Sequence, residues 1–352
     1  MIFLGPFVLS ILVTYYLIKI TKKYDWVYRP QSDRWSTNIV SLHGGVGIWL
    51  SFIISVFFIR GADLSNQEAI ILTMSSLMML VGLFDDIHTL MPKPKLLFQF
   101  FVCVIAIFAG VSFQFSDSNL INAAVTVFWI IGINNAVNLM DNMDGASPGL
   151  CLISVVTLSL LTLESHPELA TLSMILGACL GGFLLFNFNP AQIFMGDSGS
   201  LFLGSYISML LLSYSQTRPT EVYHTIFNIP SGLLLPAMLV LVPILDTTFV
   251  SINRYLNGYP ISKGDKGHIT HRLSYMYGSD RLTIALLYSY QIGTYLIVKS
   301  GHWKMLYPMV GGAVVYLCYI TVKTNHLVWP KKYGDQTKTN EVEPVKDQSL
   351  SA

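Results

Sequence analysis

Five aspartates stand against long uncharged runs rather than among other charges. They are Asp85 and Asp86 in Gly82-Leu83-Phe84-Asp85-Asp86, Asp141 and Asp144 in the segment Asn138 to Gly145, and Asp197 in Gly196-Asp197-Ser198-Gly199-Ser200. A carboxylate at the end of an apolar run is costly unless it is paired or bound to a cation, so all five are functional candidates. Mg²⁺ would account for such a set. It takes hard oxygen ligands, usually one or two from protein and the rest from water and substrate phosphates, and leaves further carboxylates free for proton transfer. Cationic residues follow the same pattern: Lys95 comes after the first pair, and the stretch from Lys263 to Arg272 carries His268, His271 and Arg272. Carboxylates for a metal, with cations to balance phosphate charge, point to phosphate chemistry.

Taken singly, each cluster has a plainer reading. Asp85-Asp86 fits a solvated loop pair, because loop carboxylates are usually exposed. Asp141 and Asp144 suit the start of a following helix, where acidic residues cap the chain and meet the dipole. Gly196 to Ser200 reads as a turn feeding the next apolar run, and His268 and His271 as interfacial polar residues. Asp246 is harder to dismiss, since it is the only charge between Ile229 and Ile252 and carboxylates inside such runs are rarely idle; Arg254 is a candidate partner.

The elements that must position these residues are apolar helices. Of 352 residues, 53% are hydrophobic and 12% charged, about half the charged share of a soluble domain. Mean hydropathy is +0.55. A large soluble core would still need a charged surface, whereas here the charges cluster between uncharged runs of bilayer-spanning length. About eleven such runs are predicted, at 2–20, 44–60, 67–84, 96–115, 119–137, 149–163, 169–186, 199–214, 229–252, 281–298 and 304–323, giving an all-α, polytopic integral membrane protein. Lys19, Lys22 and Lys23 follow the first run instead of preceding it, the reverse of a secretory signal. All but Arg60, Arg218, Lys299 and Lys304 of the 21 Lys and Arg fall in loops on one side. Positive residues collect in the cytoplasm, so the N-terminus is expected outside and the C-terminus inside. The loops after the first, third, fifth, seventh and ninth runs then face the cytoplasm, and they hold the clusters described above.

Residues 1–330 read as one membrane domain and 331–352, polar and rich in Lys and Glu, as a disordered cytoplasmic tail. Cys103, Cys151, Cys179 and Cys318 lie in apolar stretches without C-x-x-C spacing and indicate neither disulfides nor zinc. A net charge of +1 and no basic-aromatic platform argue against nucleic acid.

At these motifs the chain resembles the polyprenyl-phosphate N-acetylhexosamine-1-phosphate transferases, the bacterial lipid-carrier enzymes that start peptidoglycan, teichoic acid and O-antigen synthesis. The likeness runs from about Asp25 to Leu273. It rests on Asp85-Asp86 with Lys95 and Gln99, on Asn138 to Gly145, and on Phe186-Asn187 through Pro190-Ala191 to Phe194 and Gly196 to Ser200. The resemblance implies a roughly eleven-helix membrane fold in the bacterial cytoplasmic membrane with its active site on the cytoplasmic face. It also implies a UDP-N-acetylhexosamine donor and a polyprenyl phosphate acceptor, usually undecaprenyl phosphate. The acceptor attacks the donor's β-phosphorus, releasing UMP and leaving a lipid-linked pyrophosphate sugar. Carried over to this chain, Asp197 and Asn138 match Mg²⁺-binding positions, at which Mn²⁺ is a plausible substitute, and Lys95 matches a pyrophosphate-binding lysine. Asp85 and Asp86 match the pair from which the base is drawn. Asp144 and Phe194 match uracil-site residues, with Asn187 in the nucleotide region, and His268, His271 and Arg272 match a basic loop near the sugar phosphate. Asp141 stands with the catalytic carboxylates.

Two positions depart from the family pattern: Asn142 stands where many relatives have glycine, and Thr270 replaces the middle histidine of Gly-His-x-His-His-Arg. The loop lacks the three consecutive histidines of the enzyme that uses UDP-MurNAc-pentapeptide, which favours a simpler donor, UDP-GlcNAc first. A modified N-acetylhexosamine and assembly as a homodimer are compatible with the same residues. Two competing classes fit less of the chain. A transporter predicts charge at mid-membrane and repeated halves, and an intramembrane aspartyl protease leaves Lys95 and the histidine loop unexplained.

Overall fold

The computed structural model describes residues 2–29, 39–61, 63–114, 116–216, 231–260 and 266–328. The expected tail, 331–352, and the Lys263-Gly264-Asp265 part of the histidine loop lie outside them. Among the described residues the fold is all-α but for one two-residue strand pairing. Its helices are α1 (Leu4–Lys23), α2 (Gly44–Arg60), α3 (Asn66–His88), α4 (Pro92–Phe108), α5 (Asn119–Met140), α6 (Ala146–Thr162), α7 (Pro167–Asn187), α8 (Gly196–Gln216), α9 (Ser231–Leu239), α10 (Leu241–Leu256), α11 (Ile269–Tyr277), α12 (Asp280–Ser300) and α13 (Leu306–Val328). Strands β1 (Val27–Tyr28) and β2 (Val40–Ser41) pair antiparallel between α1 and α2, and Ser41 also bridges Ile193.

Local chemistry sets several boundaries. Ser65 and Glu68 form a reciprocal capping box at the start of α3. Pro92 opens α4, where its missing N–H would have no helical partner anyway. Ser118 and Ser279 cap α5 and α12, and Gly301 ends α12 with φ 70°.

Each apolar run expected from the sequence overlaps at least one helix among the described residues. Among the described residues five helices, α1, α3, α5, α7 and α13, are long and apolar enough by length and composition to cross a membrane. α9 and α10 together would make a sixth, while α2 and α6 are apolar but only 17 residues each. Large apolar side chains such as Phe57, Phe58, Phe108 and Phe128 face outward, and small polar ones such as Ser10, Thr14, Ser51 and Ser75 are buried between helices. That is the arrangement of a multi-pass membrane protein, whose helices pack through small residues against an apolar solvent.

The run at 229–252 is not one straight helix. It breaks at Val240, and its halves meet at 85°. Pro236 lies inside α9, and Pro243 offers no N–H to the carbonyl four residues before it and crowds that carbonyl. Side chains of α6 and α12 satisfy the freed backbone: Ser154 Oγ donates to the Leu239 carbonyl at 2.5 Å, Gln291 Nε2 and Thr294 Oγ1 donate to the Met238 carbonyl, and Val242 N–H donates to Gln291 Oε1. The run expected at 96–115 begins earlier, at Pro92, and stops at Phe108. α11 lies in a stretch read from the sequence as a loop.

At the centre, α8 is buried along almost its whole length and packs on α2, α3 and α5. Missing side chains make the approach close. A Cβ on Gly82 would lie 2.2 Å from the Asp197 carbonyl oxygen, and one on Gly45 would lie 2.0 Å from the Gly199 nitrogen. Backbone contact therefore sets the spacing of α2, α3 and α8 at the end where the aspartates lie.

Candidate active site

Asp197 is in the first turn of α8, and Asp86, near the end of α3, holds that turn in place. Both oxygens of Asp86 accept α8 backbone donors, Asp197 N–H at 2.7 Å and Ser198 N–H at 3.0 Å. An anion at a helix N-terminus meets unpaired N–H groups and the positive end of the dipole. His43, before the first turn of α2, brings Nδ1 to 3.9 Å of the same carboxylate. The second aspartate of the pair is thus wholly engaged.

Asp85 has different partners. Its Oδ1 accepts Leu90 N–H at 2.6 Å in the turn after α3, and its Oδ2 lies 2.9 Å from Lys95 Nζ. Lys95, in the first turn of α4, also donates to Asp197 Oδ2 at 2.5 Å. One ammonium therefore joins two carboxylates from different helices. Asn138 completes the group from the last turn of α5, its Nδ2 donating to Asp197 Oδ1 at 2.7 Å and to Ser200 Oγ at 2.8 Å.

The chain from Asp141 to Gly145 links α5 to α6 and turns across this group. Burial, then the charges of Asp197, Asp86 and Asp144, pushes the Asp141 carboxyl up to about 8, against a smaller easing by the Gly196 N–H. Burial also raises Asp144, which accepts Ala191 N–H at 2.9 Å and so ties this segment to the loop before α8. Gly145 is held from both sides, its N–H donating to Asn187 Oδ1 at 3.1 Å and its carbonyl accepting Tyr288 O–H at 2.6 Å. Asn187 is buried, and its Nδ2 donates to the Ile193 carbonyl at 2.8 Å, so its amide braces two loops. Phe194 is half-buried, edge-on to Tyr28 at 5.4 Å, with its N–H on the Ser41 carbonyl and its carbonyl on Gly44 N–H.

The histidine loop meets this segment through its start. Thr270 Oγ1 donates to Asn142 Oδ1 at 2.6 Å, and His271 Nε2 lies 3.2 Å from the Asn142 carbonyl. The two positions that depart from the family pattern therefore touch. Burial, and then the neighbouring His268, pushes the His271 ring down to about 4, so it is neutral at neutral pH. Arg272 is fully buried. It donates from Nε to the Gly267 carbonyl at 2.9 Å, and from its two terminal nitrogens to Thr324 Oγ1 at 2.7 Å and Asn325 Oδ1 at 3.1 Å, fastening α11 to α13. Asp246 pairs with His268 Nδ1 and with Ile269 N–H.

The fold thus brings Asp85, Asp86, Lys95, Asn138, Asp141 and Asp197 together, with Asp144, Asn187 and Phe194 on the adjoining loop. His268 and His271 stand across Asn142 from that group, and the contacts of Arg272 run to α13. Asp85-Asp86 is not a solvated pair, Gly196 opens a helix, and Asp141 ends α5 instead of capping α6. Tyr288 and His43 were not singled out from the sequence. Tyr288 sits in an ordinary apolar stretch with nothing to mark it, while His43 had one signal, a histidine directly before the Gly44-Gly45 pair.

Among the described residues no three His, Cys, Asp or Glu side chains converge as a ready-made metal cage. Mg²⁺ does not require one, since it relies on one or two protein oxygens and completes its shell from phosphates and water. Asp197 supplies a carboxylate, and the Asn138 carboxamide oxygen, which accepts no hydrogen bond among the described residues, supplies a hard neutral donor. The residues fit a magnesium ion.

Comparison with known proteins follows the same residues. The family model described as glycosyl transferase family 4 matches residues 69–215, a span from α3 to α8 that contains every aspartate of the group. A probable undecaprenyl-phosphate N-acetylglucosaminyl 1-phosphate transferase of Bacillus subtilis (strain 168) is 32% identical over 320 residues, 86% of each chain. A decaprenyl-phosphate N-acetylglucosaminephosphotransferase of Mycobacterium tuberculosis (strain ATCC 25618 / H37Rv) is 28% identical over 279 residues, 70% of this chain and 68% of that one. A phospho-N-acetylmuramoyl-pentapeptide-transferase of Staphylococcus saprophyticus is 31% identical over 212 residues, 53% of this chain and 66% of that one. With the bacillus protein matched along most of both chains, and the family model covering the helices that carry the aspartates, the chain belongs to glycosyl transferase family 4.

Proposed function

We propose that this chain transfers N-acetylhexosamine-1-phosphate, GlcNAc-1-phosphate first among donors, from a UDP-sugar to undecaprenyl phosphate. An oxygen of the acceptor phosphate forms a bond to the donor's β-phosphorus, the bond from that phosphorus to the bridging oxygen breaks, and UMP leaves with the electron pair. The product is a lipid-linked pyrophosphate sugar of the kind that starts envelope polysaccharides. The observation that carries the reading is the junction of α3, α4, α5 and α8, where Lys95 lies between two carboxylates and Asn138 joins them. The names of the similar proteins support the donor sugar and the lipid acceptor.

In this reading Asp197 and Asn138 hold Mg²⁺, which when bound offsets negative charge on the donor pyrophosphate. Lys95 binds a phosphate oxygen through Nζ, a cation already positioned by Asp85 and Asp197. The base for the acceptor phosphate is drawn from the pair Asp85 and Asp86, of which Asp86 holds the α8 N-terminus and Asp85 holds Lys95. Asp144 and Phe194 form the uracil site, one accepting hydrogen bonds and the other offering a ring face. Asn187 acts on that site from behind, through Gly145 and Ile193. The N-terminus lies outside and the site faces the cytoplasm of a bacterial inner membrane, with eleven crossings in all.

The test is release of UMP by purified protein given undecaprenyl phosphate, Mg²⁺ and a panel of UDP-N-acetylhexosamines. UDP-GlcNAc is expected to turn over, and Asp197→Asn to lower the rate by about 10²-fold or more, as loss of a preorganised charge at a phosphoryl site does. No UMP from any donor, in a lipid preparation that supports a related transferase, would sink the proposal.

A further inference from the structure

Asp246 is a buried carboxylate to which this chemistry gives no task. It lies in α10 with no exposed surface, where an ionised carboxylate is tolerated only if hydrogen bonds replace its water. Two do so. Ile269 N–H donates to Oδ1 at 2.7 Å, and His268 Nδ1 stands 2.7 Å from Oδ2. Ile269 is the first residue of α11 and His268 its N-cap, so one carboxylate holds both the helix entry and the ring beside it.

Capping alone does not call for this arrangement. Ser, Thr or Asn supplies an acceptor for a helix N–H with a smaller desolvation penalty than a buried charge. What an ionised carboxylate adds is a second site that can only accept, which dictates that Nδ1 carries a proton whatever the charge of the ring. His268 is almost fully buried, and among the described residues only its Nδ1 has a hydrogen-bond partner, which leaves Nε2 open. The ring stands edge-on to His271 at 5.9 Å, and His271 in turn touches the carbonyl of Asn142, in the segment that carries Asn138 and Asp141. The His268 ring thus stands next to the residue that joins α11 to the proposed metal segment.

We infer that Asp246 is a positioning residue of the transfer reaction, which fixes the orientation and Nδ1 protonation of His268 and leaves Nε2, when protonated, to donate to a phosphate oxygen of the sugar-nucleotide donor. The inference rests on the transferase reading for the identity of that donor. Asp246 touches no substrate itself; it acts through the ring, as the partners of functional histidines do elsewhere.

The experiment compares wild type, Asp246→Asn, Asp246→Glu, His268→Gln and the Asp246→Asn/His268→Gln double variant in lipid nanodiscs. UMP release is measured together with thermal unfolding and the ¹⁵N shifts of histidine. Asp246→Asn is expected to lower kcat by about 10- to 100-fold, the usual effect of removing such a partner, with KM for the donor changed less. Glu, which keeps the charge, is expected to restore part of the rate, and the double variant to be no slower than the slower single one. The His268 signal is expected to show a protonated Nδ1 in wild type and to change in Asp246→Asn. A wild-type kcat in folded Asp246→Asn, or losses that multiply in the double variant, overturns the inference. If Asp246→Asn does not fold, normal turnover by His268→Gln overturns it instead. If wild type itself releases no UMP, the transferase reading fails; the ¹⁵N shifts then decide the pairing separately, which falls if Nδ1 is unprotonated.

Discussion

The contact between Thr270 and Asn142 changes the meaning of two residues that looked like separate departures from a family pattern. Thr270 Oγ1 gives its proton to Asn142 Oδ1, while Asn142 Nδ2 donates to the Leu139 carbonyl at 2.6 Å within its own turn. A histidine at 270 would need other room, and a glycine at 142 would leave Thr270 without this acceptor, so the two side chains depend on each other. A neutral hydrogen bond of this kind contributes about 0.5–1.5 kcal/mol. Thr270→Val and Asn142→Gly are each expected to weaken the join between α11 and the Asn138–Gly145 segment, and the pair to lose less than the two single effects combined. A double-mutant cycle on thermal unfolding measures this directly, and strict additivity would show that the contact contributes nothing. His271, neutral beside the same residue, shares this seam as a hydrogen-bonding group and not as a cation.

Between elements, the decisive fact is that α3 and α8 touch through backbone. Asp86 reaches the Asp197 and Ser198 N–H groups in the first turn of α8 only because Gly82, one turn earlier on α3, lets the Asp197 carbonyl come close. Gly82→Ala places a methyl group against a backbone atom, which cannot rotate away as the tip of a side chain can. Overpacking of this kind costs about 1–3 kcal/mol, and here it also withdraws Asp86 from its donors. The expected result is a lower unfolding temperature together with lost UMP release, even though residue 82 bears no functional group. Gly132, a glycine with no atom within 4 Å of its Cβ position, serves as the control: Gly132→Ala is expected to leave both unchanged. Equal effects at 82 and 132 would remove the argument for close helix approach.

Across the whole molecule, the candidate site draws on the same end of several helices. It takes the last turns of α3, α5 and α7 and the first turns of α4 and α8, while Arg60, Glu68, His166 and Ser213 line a cavity of about 490 Å³ at the opposite ends of α2, α3, α7 and α8. Together with the sidedness of Lys and Arg, this separation predicts that the aspartate group is reached from the cytoplasm. In a background without native cysteines, single cysteines at Lys93 and at Ser300 report the two sides. A membrane-impermeant maleimide added to intact cells is expected to label position 300 and to reach position 93 only after lysis. Labelling of position 93 in intact cells would reverse the proposed orientation.

Much of this was legible without coordinates, because lipid imposes long uncharged runs and makes every carboxylate beside them conspicuous. The eleven apolar runs, the helical class, and the grouping of Asp85, Asp86, Asn138, Asp141, Asp144 and Asp197 with Lys95 follow from that constraint and from the resemblance of the motifs. The break between α9 and α10 was not legible: prolines at 236 and 243 allow a kink, but its angle and the repair of its backbone depend on Gln291 and Thr294, some fifty residues away. Nor could spacing separate the roles of adjacent aspartates, since successive side chains on a helix point in different directions and only the packing of α8 decides what each one meets. The same holds for Arg272, placed by the motif beside its histidines but turned by the fold towards Thr324 and Asn325. The sequence alone determined which residues the membrane obliges to have partners; the tertiary structure decided which partners those are, because hydrogen bonds between helices depend on distances that no local pattern contains.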